Sequence, residues 1–177
     1  MSIITGRGDT GETDLLFGKR IPKASIRFEC LGSVDELNAA LGVARTDLRD
    51  ENWIKLIDKI QKKLVDLMGQ LACLPEDEDR YREKGYKEIS EEDIQWLEVE
   101  ATAYEKLGIR LKDWARPGEE GCRARAGLDL ARTISRRAER KVWQLHDDGE
   151  LVPWPVLVFL NRLSDLLWIL ARMDPDA

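Results

Sequence analysis

The chain has 177 residues, enough for one well-buried core and short for two. Hydrophobic residues make up 43% and charged residues 35%, which excludes a disordered chain and a membrane span. The net charge of −6 argues against bulk nucleic-acid binding, and the single histidine, His146, argues against a histidine-rich metal site or a histidine-based triad.

The predicted elements follow in chain order. Residues 1–32 lack helical period and hold Gly6, Gly8, Gly11, Gly18 and Gly32, with Pro22 interrupting, so they read as an arm on the bundle at 33–174, the whole chain being one domain. MSIITGRGDTGETD has no basic stretch followed by an apolar one, and Cys30, Cys73 and Cys122 form no CxxC. A reducing cytoplasm is the expected location, with no secretory signal and no disulfide framework. Ser33, with Glu36 three residues on, reads as a capping box opening the first helix, whose apolar face is Val34, Leu37, Leu41, Ala44 and Leu48. A second helix from about Asn52 carries Trp53, Ile57, Ile60, Leu64, Leu67 and Leu71 and stops before Pro75. Residues 75–89 are charged and read as a loop. Ser90 with Asp93 caps a third helix bearing Ile94, Leu97, Ala101 and Tyr104. The fourth runs from about Gly121 to His146, with the seam Leu128, Ala131, Ser135, Ala138, Val142 and Leu145. Pro153 or Pro155 opens the fifth, which ends before Pro175. Its apolar residues cover nearly all faces, which predicts a central or subunit-contact position, while Asn161, Arg162, Ser164 and Asp165 break any membrane-length run. The expected fold class is all-α, a five-helix bundle with a glycine-rich N-terminal arm.

Three places can carry chemistry. In the arm, Gly6, Gly8 and Gly11 formally match G-x-G-x-x-G, but too few residues precede them for a strand and no βαβ unit follows. What remains is physical: glycines let backbone N–H groups converge on an anion, Thr5 and Thr13 add hydroxyls, and Arg7, Lys19, Arg20 and Lys23 add positive charge. A phosphate loop and a solvated tail are both open readings. On the fourth helix Arg132, Arg136 and Arg140 are spaced four apart. Either they form a solvated face with Arg136 and Glu139 as a surface pair, or a stripe of planar donors for phosphate. Stacked like charges repel unless something neutralises them. On the fifth helix Asn161 is either an inter-helix hydrogen-bonding group or a ligand contact. Asp35 is either a favourable first-turn charge or the partner of a cation such as Arg132.

Taken together, TGRGDTGET, Arg20 and Lys23, GSVDELNAALG, ARTISRRAER and LNRLSDLLWILAR, in this order, resemble the PduO-type ATP:cob(I)alamin adenosyltransferases. The resemblance implies a trimer with active sites between subunits. Thr5, Gly6, Arg7, Gly8, Gly11, Thr13 and Lys23 would line the ATP phosphates. Arg136, Glu139 and Arg140 of the adjacent subunit would complete the site, Asn161 would contact the nucleotide, and Asp35 with Arg132 would form an inter-subunit ion pair. It implies attack by cob(I)alamin on the 5′-carbon of ATP, with Mg²⁺ and no resident metal ligands on the protein. It implies no nucleic acid and no membrane, and as further partners a cobalamin reductase or an adenosylcobalamin-dependent enzyme. The other reading of the same resemblance is a non-catalytic nucleotide or corrinoid carrier or sensor. Three positions depart from the family pattern: Trp114 stands for a phenylalanine that helps displace the lower axial ligand, Trp168 for a later aromatic, and Asp129 for a histidine. All three bear on the corrinoid side more than on the ATP side.

Overall fold

A computed structural model of the chain describes residues 4–109, 114–119 and 121–173. Among them are six α-helices and one two-stranded antiparallel sheet: β1 (Glu12–Asp14), β2 (Arg20–Pro22), α1 (Ile26–Thr46), α2 (Glu51–Leu71), α3 (Glu78–Glu83), α4 (Glu91–Lys106), α5 (Arg123–Asp147) and α6 (Trp154–Leu170). No helix of the described residues is long and apolar enough to cross a membrane.

The stripes expected from the sequence are the buried faces. Val34, Leu37, Leu41 and Ala44 of α1, Ile57, Ile60, Leu64 and Leu67 of α2, and Leu128, Ala131, Ala138, Val142 and Leu145 of α5 are fully buried or nearly so. Removing such stripes from water is the main force holding the helices together. The α1–α5 contact is the most intimate. Gly127 permits it, since a Cβ there would meet Cα and Cβ of Ala44 at 3.0 Å. The central position expected for the last helix is realised: α6 packs against α5 and α4, with Phe159, Leu160, Leu163, Leu166 and Leu167 at zero exposure. Ser135 offsets its burial by donating from its hydroxyl to Leu160 O at 3.3 Å. The Ser90–Asp93 cap forms as expected, the Ser90 N–H donating to Asp93 Oδ2 at 3.1 Å.

Three expectations change. First, α1 begins at Ile26, not at Ser33. The cap is Ser25, whose hydroxyl accepts from Phe28 N–H, so residues 26–32 belong to the bundle and the arm ends at Ser25. Ser33 lies inside the helix, where its hydroxyl donates back to Glu29 O at 2.8 Å. Asp35 is consequently a mid-helix residue on the exposed face and not a first-turn charge. Second, the arm contains strand structure: Thr13 pairs with Ile21 and Asp14 with Arg20 in an antiparallel hairpin. Third, the segment read as a loop after Pro75 holds a 3₁₀ turn at Pro75–Asp77 and the short α3, anchored by buried Tyr81.

The hairpin is docked onto the end of α2. The backbone N–H of Leu16 donates to Ala72 O at 3.2 Å, and Lys19 Nζ meets Glu76 at 3.0 Å and Asp77 at 3.6 Å. Buried Arg27 grips the same turn, donating to Leu71 O at 2.8 Å and Cys73 O at 3.4 Å. It then reaches Glu150 at 2.7 Å across the α5–α6 connection. Carbonyls at a helix C-terminus lack intrahelical partners, which is why this turn can accept from two separate segments.

Candidate functional site

The arm places its charged groups in two ways. Lys23 Nζ lies 2.9 Å from the position a Cβ on Gly8 would take, so a side chain at 8 would press on the amine, and glycine there leaves Lys23 its place. The same residue closes the arm's first turn, its N–H donating to Gly11 O at 2.8 Å. Gly6 and Gly11 have φ of +68° and +86°, where glycine carries no steric cost. The Thr5 hydroxyl accepts from the Arg7 N–H at 3.4 Å, and Thr13 sits in β1. Arg7 and Arg20 converge on one oxygen of Asp14, at 2.9 and 3.0 Å, and Arg20 also pairs with Glu12 at 3.2 Å. Of the four arm cations named from sequence, Lys23 alone makes no ion pair among the described residues, while Lys19 is spent on docking to Glu76 and Asp77.

The arginine row of α5 is resolved unevenly. Arg136 Nη1 donates to Asn161 Oδ1 of α6 at 3.3 Å and stands 2.5 Å from Glu139 Oε2. The surface-pair reading does not hold for this couple, because Glu139 is buried at 8% exposure while Arg136 is half exposed. Burial pushes the Glu139 carboxyl above the usual carboxylate range, with Arg136 pulling it back. Arg140 is exposed and makes no ion pair among the described residues. The bland account of Asn161, an inter-helix hydrogen bond, is therefore present, and it orients Arg136 toward the same surface as Arg140.

Arg132 takes a different partner within the chain. Its Nε donates to Oδ1 of Asp129, one turn back, at 2.6 Å. That oxygen also accepts from Arg172 Nη1 at 3.3 Å. Asp129 and Arg172 are 5% and 8% exposed. Arg172 further donates to Trp168 O at 3.0 Å and lies over the Trp168 ring, 4.5 Å from its centroid. Asp35 makes no ion pair with Arg132 among the described residues; it lies on the exposed face of α1. Trp114 is 91% exposed, directly after residues 110–113, which lie outside the described set.

No hydrogen bond or ion pair joins arm residues 5–23 to α5 among the described residues. The arm instead rests on the α2–α3 end of its own chain. Two clusters rich in anion donors thus exist, one in the arm and one on α5, and no bond among the described residues brings them together. Sequence reasoning missed the Asp129–Arg172 couple and the Arg27 grip. The available signals were Asp129 three residues before Arg132 and Arg172 four after Trp168.

Residues 3–174 match the family model described as cobalamin adenosyltransferase. The chain is 38% identical over 177 residues to the corrinoid adenosyltransferase of Bacillus subtilis, covering 98% of this chain and 86% of that protein. It is 37% identical over 181 residues to the corrinoid adenosyltransferase PduO of Salmonella typhimurium, all of this chain matching 51% of that protein, so it spans about half the length of that relative. A variant of the PduO-type ATP:corrinoid adenosyltransferase from Lactobacillus reuteri, complexed with cobalamin and ATP, superposes with a TM-score of 0.84. The two are 31% identical over 97% of this chain and 92% of the other. The chain belongs to the cobalamin adenosyltransferase family.

Proposed function

We infer that this chain is an ATP:corrinoid adenosyltransferase working as a homotrimer, with ATP held between the arm of one subunit and α5 of the next. Reduced cobalt supplies the electron pair for a new bond to the 5′-carbon of ATP, the bond from that carbon to the triphosphate oxygen breaks, and adenosylcobalamin and triphosphate leave. The cobalt is the nucleophile, so the protein needs no Ser, Cys or His nucleophile and no general base, in keeping with one histidine in the chain. Its tasks are to align carbon with metal and to stabilise charge on the leaving triphosphate.

The observation that carries this reading is the state of α5. Arg136 is fixed from two sides by Asn161 and Glu139, and Arg140 beside it makes no ion pair among the described residues. A guanidinium held in place gives two-pronged donation to a phosphate at little ordering cost. From the other subunit, Lys23 and the amides around Gly6, Gly8 and Gly11, with Thr5, Arg7 and Thr13, would close on the phosphates. Arg7 exchanges Asp14 for the triphosphate. Asp35 of one subunit and Arg132 of the next would pair across the boundary, and Trp114 and Trp168 would face the corrinoid. The docking of the arm away from its own α5 favours assembly across subunits. Among the described residues no three His, Cys, Asp or Glu side chains converge as a metal site. Magnesium would travel on the triphosphate oxygens.

The test is anaerobic incubation of the protein with ATP and chemically reduced cobalamin. The expected result is a light-sensitive alkylcobalamin with one triphosphate released per product. Binding of both ligands without a carbon–cobalt product would establish a carrier or sensor instead. The subunit boundary is tested at Asp35: Asp35→Arg, which would set two cations against each other, weakens the trimer in sedimentation and lowers turnover, while Asp35→Glu, which keeps the charge, stays near the parent. Unchanged assembly in Asp35→Arg would remove that ion pair from the reading.

A further inference from the structure

We infer that Asp129 and Arg172 are positioning residues for this reaction, forming with Trp168 and Arg132 a continuous link from the corrinoid side of the site to the subunit boundary; the inference rests on the function proposed above. The geometry carries it. One carboxylate oxygen, nearly excluded from water, receives Arg132 Nε at 2.6 Å and Arg172 Nη1 at 3.3 Å. A carboxylate between two guanidinium groups neutralises part of their charge and fixes the plane of each. For Arg132 the bond is made at Nε, and neither Nη atom makes a hydrogen bond among the described residues. The outer edge of that guanidinium is thus left for a group beyond the chain. For Arg172 the consequence is a flat cation stacked on Trp168, and its remaining contact is to the carbonyl of the same tryptophan.

The couple therefore orients two residues at once. Asp129 sets the direction of Arg132, and through Arg172 it sets the face that the Trp168 ring presents. Neither Asp129 nor Arg172 reaches the phosphate-binding row, since Arg136 is held separately by Asn161 and Glu139. A loss at Arg172 is accordingly felt by the corrinoid and not by ATP, whereas a loss at Asp129 also releases Arg132 at the subunit boundary where ATP is held. Asparagine at 129 keeps the shape and removes the charge, leaving two guanidinium groups facing each other.

The experiment compares the full chain with Asp129→Asn, Arg172→Met and Arg172→Lys, after turnover of the parent has been established. That first step separates failure of the proposed function from failure of this inference. Expected for Arg172→Met is a KM for the corrinoid raised about tenfold or more, the size of one lost charge-assisted hydrogen bond, with the KM for ATP within about twofold of the parent, and for Asp129→Asn the same rise for the corrinoid together with weaker trimer assembly in sedimentation. Binding of cob(II)alamin in the presence of ATP, followed by visible absorption, should weaken in parallel. Arg172→Lys, which keeps the charge but not the planar stack, should fall between. A purely structural role would lower the melting temperature and the active fraction while leaving both KM values and the cob(II)alamin affinity unchanged, and that result would overturn the inference. So would equal increases in the two KM values of Arg172→Met. Should Asp129→Asn fail to fold, the same readings on Arg172→Lys decide.

Discussion

Replacing Arg136 by alanine separates stability from chemistry in a way the structure allows to be worked out. Arg136 makes the ion pair of Glu139 Oε2, at 2.5 Å, with Arg140 acting on the carboxylate more weakly, and among the described residues that oxygen has no hydrogen-bonding partner. Truncation leaves a buried carboxylate unpaired. The charge-assisted contact would be worth about 2–3 kcal/mol in full burial, but the Arg136 side chain is 44% exposed and water follows it out, so the expected loss is about 1–2 kcal/mol at neutral pH. Glu139 already titrates above the usual carboxylate range because of burial, and losing the neighbouring guanidinium moves it further up. A carboxyl raised in the folded state contributes stability below its unfolded value and loses it as pH rises through the raised value. The deficit of Arg136→Ala is therefore full near neutral pH and shrinks as the pH falls to about 4. Urea unfolding of parent and variant at several pH values measures it. Adding Glu139→Gln to the variant should return most of the stability, while turnover stays down at least about a hundredfold because the phosphate donor is still missing. A deficit independent of pH would refute the burial argument, and near-normal turnover would refute the placement of Arg136 on triphosphate.

Two further outcomes are expected. Gly127→Val should lower stability by about 2 kcal/mol or more, because its Cβ would stand 3.0 Å from Ala44 and push α1 from α5. A melting temperature equal to the parent's would show that the two helices have slack. Cys30 is fully buried and its thiol is pushed up to about 12 by desolvation, and burial raises Cys73 in the same direction. A thiol reagent near pH 8 should thus modify Cys122 first, the partly exposed one, and reach all three only after denaturation. Rapid labelling of Cys30 in the folded chain would contradict the packing of α1.

The helices were legible because apolar residues recur on one face over five or more turns. Trp53 through Leu71 and Leu128 through Leu145 admit no other reading, and both stripes are buried. The start of α1 was not legible for a specific reason. Ser33-x-x-Glu36 satisfies the capping-box pattern in the middle of a helix, and the buried Cys30, four before Val34, is the weaker signal that the stripe runs further back. Strands of three residues are too short to show alternation, so the hairpin was invisible. At the candidate site the residue types could be read but not their partners. Arg132 finds Asp129 three residues away, and the buried roles of Arg27 and Arg172 run against the rule that arginines stay in water. Membership of the family supplied what no spacing could, namely the class of reaction these side chains are to be read against.

The turn at 71–73 has an evolutionary corollary. Its three acceptors are main-chain atoms, which every amino acid carries, so the side chain of Ala72 can drift without loosening the arm from its mooring, while Leu71 and Cys73 are held by their own burial. Substitution at Arg27 has no such freedom. One long-range donor safeguards the seat of the arm, and natural variation should be tolerated at Ala72 far more readily than at Arg27.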